Sequence, residues 1–110
     1  MTEILQKLLD KRVSRIFHNY IEKSLIIYFD EDLMIQFYEC AIVFDLGITG
    51  HIITFASLTG TIGMSFELKN LNQNPDDYNC IILSRDIEDY ENKNEMIISF
   101  KEYKFTESLF

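Results

Sequence analysis

The sequence predicts an α+β fold, an N-terminal amphipathic helix packed on a mostly antiparallel, curved sheet of about six strands. Three observations predict it. Apolar residues in the first twenty positions recur at helical steps; from position 24 the apolar pattern becomes extended; and the breaks between extended runs are too short for crossover helices, which disfavours parallel winding. With 110 residues, nine of them Phe and six Tyr, the chain has the length and the bulky side chains to bury one core, so it is read as a single domain over 1–110. Neither a repeat nor a low-complexity tract divides it.

Ile4, Leu5, Leu8, Leu9, Val13, Ile16, Phe17 and Tyr20 trace one stripe of a helix, with Thr2 as N-cap and Glu3 in the first turn. Lys7, Lys11 and Arg15 lie on the opposite flank. Residues 25–29 (LIIYF) and 33–44 (LMIQFYECAIVF) form two extended arms around the charged tip Asp30, Glu31 and Asp32, a hairpin pattern. In the second arm the apolar bias moves from Leu33, Ile35 and Phe37 to Cys40, Ile42 and Phe44. That phase change near Glu39 predicts a β-bulge, or a strand that passes from one sheet face to another.

Gly47 and Gly50 break the run, 51–58 reads as a third strand, and Gly60 turns the chain. Ile62, Met64, Phe66 and Leu68 alternate with polar or small residues and predict a half-buried strand. Residues 70–77, with the single Pro, are a loop; 78–83 are a strand; 84–94 are a polar excursion. Met96, Ile98 and Phe100 followed by Tyr103 and Phe105 predict a last strand with a second phase slip near Lys101.

The net charge of −8 is unevenly spread. Residues 1–23 hold five bases and three acids, whereas 24–110 hold five bases and fifteen acids. So acidic a body repels phosphate backbones and anionic lipid, so nucleic acid and membrane surfaces fit poorly and a basic protein partner is the natural complement. The longest apolar runs, 25–29 and 40–44, fall far short of the roughly 20 residues of a spanning helix. No secretory leader pattern opens the chain, and Cys40 and Cys80 each sit in an apolar run that suits reduced core thiols. The expected location is the cytoplasm.

The residue types that carry chemistry do not assemble into a catalytic signature. His18 and His51 lack a second ligand at metal-binding spacing, and no cofactor motif is present, since the spaced glycines Gly47, Gly50, Gly60 and Gly63 lack the lysine and helix of a phosphate loop. Cys40 with His51 is the one nucleophile–base pair that can be drawn, and an apolar setting works against it. The acid gathers instead in Asp30, Glu31 and Asp32, in Asp76 and Asp77, and in Asp86, Glu88, Asp89, Glu91 and Glu95, with Tyr90 as an aromatic anchor in the last group. The expected partner-binding residues are Asp86, Glu88, Asp89, Tyr90 and Glu91 together with Asp30, Glu31 and Asp32. Charge there would steer a basic partner.

In layout, and in the segments LIIYFDEDLMIQFYECAIVF and EMIISFKEYKF, the chain resembles the small acidic immunity proteins that bacteria pair with toxins. That resemblance implies an inhibitor, not an enzyme, one that neutralises a basic toxin domain such as a nuclease by occlusion; it carries no residue across, because those proteins share no single motif. Two other readings stay open: a small ligand-binding or enzymatic barrel-like domain, and an acidic nucleic-acid mimic of phage type. An uncovered strand edge would also allow a homodimer.

Overall fold

The computed structural model describes residues 2–58, 64–85 and 94–107. Over these the chain forms two short helices and eight strands, arranged as two four-stranded antiparallel sheets. In the first sheet the order is β1 (Val13–Asn19), β2 (Ser24–Phe29), β3 (Leu33–Tyr38) and β8 (Glu102–Glu107); in the second it is β4 (Ile42–Leu46), β7 (Asn94–Phe100), β6 (Asn79–Arg85) and β5 (Phe55–Leu58).

The N-terminal helix α1 (Thr2–Leu8) is far shorter than the stripe predicts. It stops where Asp10 takes a left-handed φ of 65°. The Asp10 N–H donates to the Ile53 carbonyl at 2.7 Å and the Ile53 N–H donates to the Lys11 carbonyl at 2.9 Å, so the backbone leaves the helix for a pairing distant in sequence. The helical spacing beyond Asp10 has a different origin. Val13 pairs with Phe29 but Arg15 with Tyr28, which makes Ser14 an extra residue in β1. That bulge resets the two-residue period, so Val13 and Ile16, three apart, both face the core.

The predicted hairpin is β2–β3. Glu31 and Asp32 adopt φ of 68° and 61°, the left-handed pair a tight hairpin turn uses. Both predicted phase changes are places where the chain moves between sheets. Tyr38 pairs with Glu102 and Ile42 with Ser99, so Glu39, Cys40 and Ala41 oppose only Phe100 and Lys101. Glu39, at φ 51°, takes up the extra residue. The β3–β4 and β7–β8 ribbon thus folds from one sheet to the other at a single crossover, tied by Ala41 N–H to the Ser99 carbonyl at 3.0 Å and Lys101 N–H to the Tyr38 carbonyl at 3.1 Å.

The core lies between the sheets. Leu25, Ile27, Phe29, Ile35 and Phe37 from the first sheet meet Ile81, Leu83, Met96, Ile98 and Phe100 from the second, with Leu8 of α1 also buried. Phe37 and Phe100 pack ring on ring at the crossover, centroids 4.7 Å apart.

A second, smaller core covers the outer face of the second sheet. Where alternation predicts a strand, the chain forms α2 (Ser65–Asn70). Met64 and Leu68, four apart, are buried against Ile42, Tyr78 and Cys80, and Phe66 is exposed. A left-handed Asn72 at φ 58° ends the helix: its N–H reaches the Lys69 carbonyl, and the Gln73 N–H reaches the Leu68 carbonyl at 2.9 Å. This is a Schellman cap with Asn in place of the usual Gly. The predicted strand 51–58 survives only as β5, with Ile52 bridging to Arg12 before it. Among the described residues, two split strands, the added β1 and the helix at Ser65–Asn70 in place of a strand turn the expected six into eight, and one curved sheet into two.

Candidate protein-interaction site

The expected partner-binding residues Asp86, Glu88, Asp89, Tyr90 and Glu91 lie outside the described residues. Their anchors do not: the segment leaves from Arg85 at the end of β6 and returns at Asn94 at the start of β7, which pair with each other. Arg85 is bound to His51, whose carbonyl accepts from Val13 N–H, and Val13 pairs with Phe29 beside Asp30. The segment therefore starts and ends at the same pole of the molecule as the β2–β3 tip.

At that tip the acid is partly neutralised. Lys11 bonds Glu31, and Arg12 lies 3.8 Å from Asp30, so of the three only Asp32 has no ion pair among the described residues. The bases come from the backbone run that α1 feeds into β1. Folding thus returns part of the basic N-terminal charge to the first acidic cluster, at exposed positions where each pair contributes little to stability.

The opposite pole, at the crossover, gathers four acids from three separate stretches: Glu39, Glu102, and Asp76 with Asp77, all exposed and without an ion pair among the described residues. Beside them a crevice of about 400 Å³ is lined by Lys23, Glu39, Cys40, Tyr78 and Lys101. The Tyr78 hydroxyl donates to Gln73 Oε1 at 2.9 Å, and the Lys101 ammonium stands 5.2 Å from the Tyr78 ring centre.

Cys40 borders this crevice, but burial pushes its thiol up to about 12. The structure also separates the Cys40–His51 pair. Cys40 N–H bonds the Lys23 carbonyl at one end of β2, whereas His51 reaches β1 at the other, about 15–20 Å away along a six-residue strand. His51 is half-buried, its Nδ1 2.9 Å from an Arg85 nitrogen; since a guanidinium only donates, Nδ1 accepts. Neither cysteine is in a disulfide: Cys40 faces the inter-sheet core and Cys80 the α2 core, on opposite faces of the second sheet. A Cys40 thiol held that high is almost wholly protonated at neutral pH, and the protonated form is a poor nucleophile. Iodoacetamide at pH 8 should accordingly modify Cys40 at least about a hundredfold more slowly in the native protein than in urea. Rapid native labelling at Cys40, read by peptide mass spectrometry, would contradict this.

A second cleft of about 400 Å³ opens between the sheets at the end of β1, lined by Ile16, His18, Tyr20, Val43, Asp45 and Thr49. His18 stacks on Tyr20 with centroids 3.9 Å apart, and burial lowers its pKa below the usual histidine value. The Asp45 carboxylate accepts the Gly47 N–H at 3.0 Å and makes no hydrogen bond to His18. No His, Cys, Asp or Glu cluster among the described residues could hold a metal ion.

The surface that the sequence reading missed is apolar. Phe17 is 57% exposed, Tyr20 78% and Ile21 94%. With Ile26, Tyr28 and Gln36 they line an open groove of about 720 Å³ over the outer face of the first sheet. Arg15 stacks on two of the lining rings, 4.4 Å from the Tyr28 ring centre and 5.3 Å from that of Phe17. On a helical stripe Phe17 and Tyr20 would be buried; the Ser14 bulge turns Phe17 to solvent, and Tyr20 falls in the β1–β2 turn, where Asn19 Oδ1 accepts the N–H groups of Ile21 and Glu22.

No protein-family model, curated protein or solved structure matches this chain. Its function has to be argued from surface chemistry.

Proposed function

We propose that this chain is a protein-binding module, an immunity-type inhibitor that occludes a basic partner such as a toxin domain. The observation that carries the reading is the acid: fifteen carboxylates against five bases over 24–110, while the three ion pairs seen between described residues all draw their base from the first twelve residues. Exposed carboxylates without an ion pair among the described residues, Asp32 at one pole and Glu39, Asp76, Asp77 and Glu102 at the other, create a field that attracts a cationic surface and repels nucleic acid, lipid and other acidic proteins. Occlusion needs a rigid body more than a reactive group, and two sheets locked through one core supply it.

The test is capture on the immobilised protein from the native cell, followed by binding measurements on the captured partner. The expected partner is basic, and its affinity falls as salt rises. Reversal of Asp86, Glu88 and Asp89 to Lys, combined with Asp32→Lys, should weaken binding at least about tenfold, mainly through a slower on-rate. A partner that binds equally well at 50 and 500 mM salt, or that ignores the quadruple reversal, would sink the proposal.

A further inference from the structure

Of the four sheet edges formed by the described residues, three carry protection against pairing with another chain. β8 presents the alternating charges Glu102, Lys104 and Glu107. β5 has only four residues, and β4 carries Asp45 on the side facing the other sheet. β1 differs. The segment 50–53 covers only its start, through Val13 N–H to the His51 carbonyl and Gly50 N–H to the Val13 carbonyl. From Arg15 to Asn19 no described residue pairs with the outer edge, and beside that edge lie Phe17, Tyr20 and Ile21, the most exposed apolar group of the described surface.

We infer that this edge pairs with the same edge of a second copy, antiparallel about a twofold axis through Phe17, to form a homodimer with a continuous eight-stranded sheet. Register selects the axis. A twofold normal to the sheet pairs only residues that share a face. Centring it on Arg15 would set two guanidinium groups opposite each other, and would require the edge at Val13 that Gly50 and His51 already occupy. Centring it on Phe17 uses the whole free stretch: Phe17 faces Phe17, Arg15 faces Asn19 and Ile16 faces His18, with no like charges opposed. Tyr20 and Ile21 then fall beside the partner's Arg15, a residue that already stacks on Phe17 and Tyr28 within its own chain.

Charge favours a copy at this place. Two chains of −8 repel, and their least repulsive contact is the region of residues 1–23, where bases outnumber acids. The cationic partner proposed above would be directed away from it, so this inference stands independently of that reading. Area sets the strength. Phe17, Tyr20 and Ile21 expose on the order of 400 Å² per copy, and their burial on both sides, with the rims of Ile26 and Tyr28, approaches the roughly 1,000 Å² of a small specific interface. The dimer is therefore reversible and concentration-dependent.

Sedimentation equilibrium of the full chain from about 5 µM to 1 mM should show the mass rising from one chain toward two. Phe17 is solvent-facing, so Phe17→Lys leaves the fold intact by circular dichroism while setting two ammonium groups on the axis, and the mass should stay at one chain throughout. Phe44→Lys, on the exposed face of β4, should leave the dimer unchanged. Cysteine placement reads the axis directly. A residue on it meets its own copy at a Cα separation of about 5 Å, within disulfide range, whereas Arg15 and Asn19 lie about 13 Å from their copies. Mild oxidation should thus cross-link Phe17→Cys but neither Arg15→Cys nor Asn19→Cys. A wild-type monomer at 1 mM, a dimer that persists in Phe17→Lys, loss of the dimer in Phe44→Lys, or cross-linking through positions 15 or 19 in preference to 17 would each overturn the inference.

Discussion

Replacing Phe100 with alanine is expected to remove about 4 kcal/mol of stability, near half of what a domain of this size has in total. Phe100 is fully enclosed, and its ring packs on Phe37 from the other sheet and edge-on against Tyr103 at 6.3 Å. It also sits at the crossover, opposite the three-residue bulge Glu39, Cys40 and Ala41, so little local backbone is free to collapse into the cavity left behind. Urea unfolding of Phe100→Ala, Phe37→Ala and the double variant measures this. Each single change should shift the midpoint strongly, and the double should cost less than their sum by about 1 kcal/mol, the part that belongs to the ring pair. Strict additivity would mean that the sheets are not locked through these rings.

The second large effect concerns α2. Leu68→Ala should cost about 3 kcal/mol, because Leu68 is fully buried and, with Met64, is what this six-residue helix inserts against Ile42, Tyr78 and Cys80. A helix so short has no stability of its own and is held by packing. Loss of Leu68 should therefore detach α2 before the sandwich unfolds. Native-state alkylation separates the two events: Cys80, under α2, should become reactive in the variant while Cys40, in the inter-sheet core, stays protected. Equal labelling of both cysteines would indicate global unfolding and contradict the two-core arrangement.

Both misread segments failed for one physical reason. Residues 13–20 carry apolar spacing that fits a helix, yet the spacing arises from the Ser14 bulge, which exists only because β1 pairs with β2. Residues 62–68 alternate as a strand would, yet Met64 and Leu68 are also one helical turn apart, and the sheet face they cover accepts a helix. A pattern of apolar residues records which side chains avoid water; in short segments it does not say what they pack against. One local signal was available: Asn72 is the kind of residue that closes a helix in the left-handed conformation, and it follows Leu68 by the four residues a Schellman cap requires.

Turn chemistry and charge were legible without coordinates. The β2–β3 hairpin, the phase changes at Glu39 and Lys101, the antiparallel pairing and the acidity of 24–110 follow from alternation, breakers and composition, which are local quantities. The destination of each phase change was not, since a bulge and a sheet-to-sheet crossover look alike along the chain. Nor was it legible that Lys11 and Arg12 would return to Glu31 and Asp30, or that Phe17, Tyr20 and Ile21 would stand in solvent at an open edge. Those facts depend on contacts between residues far apart in sequence, and only the closing of the two sheets on each other decides them.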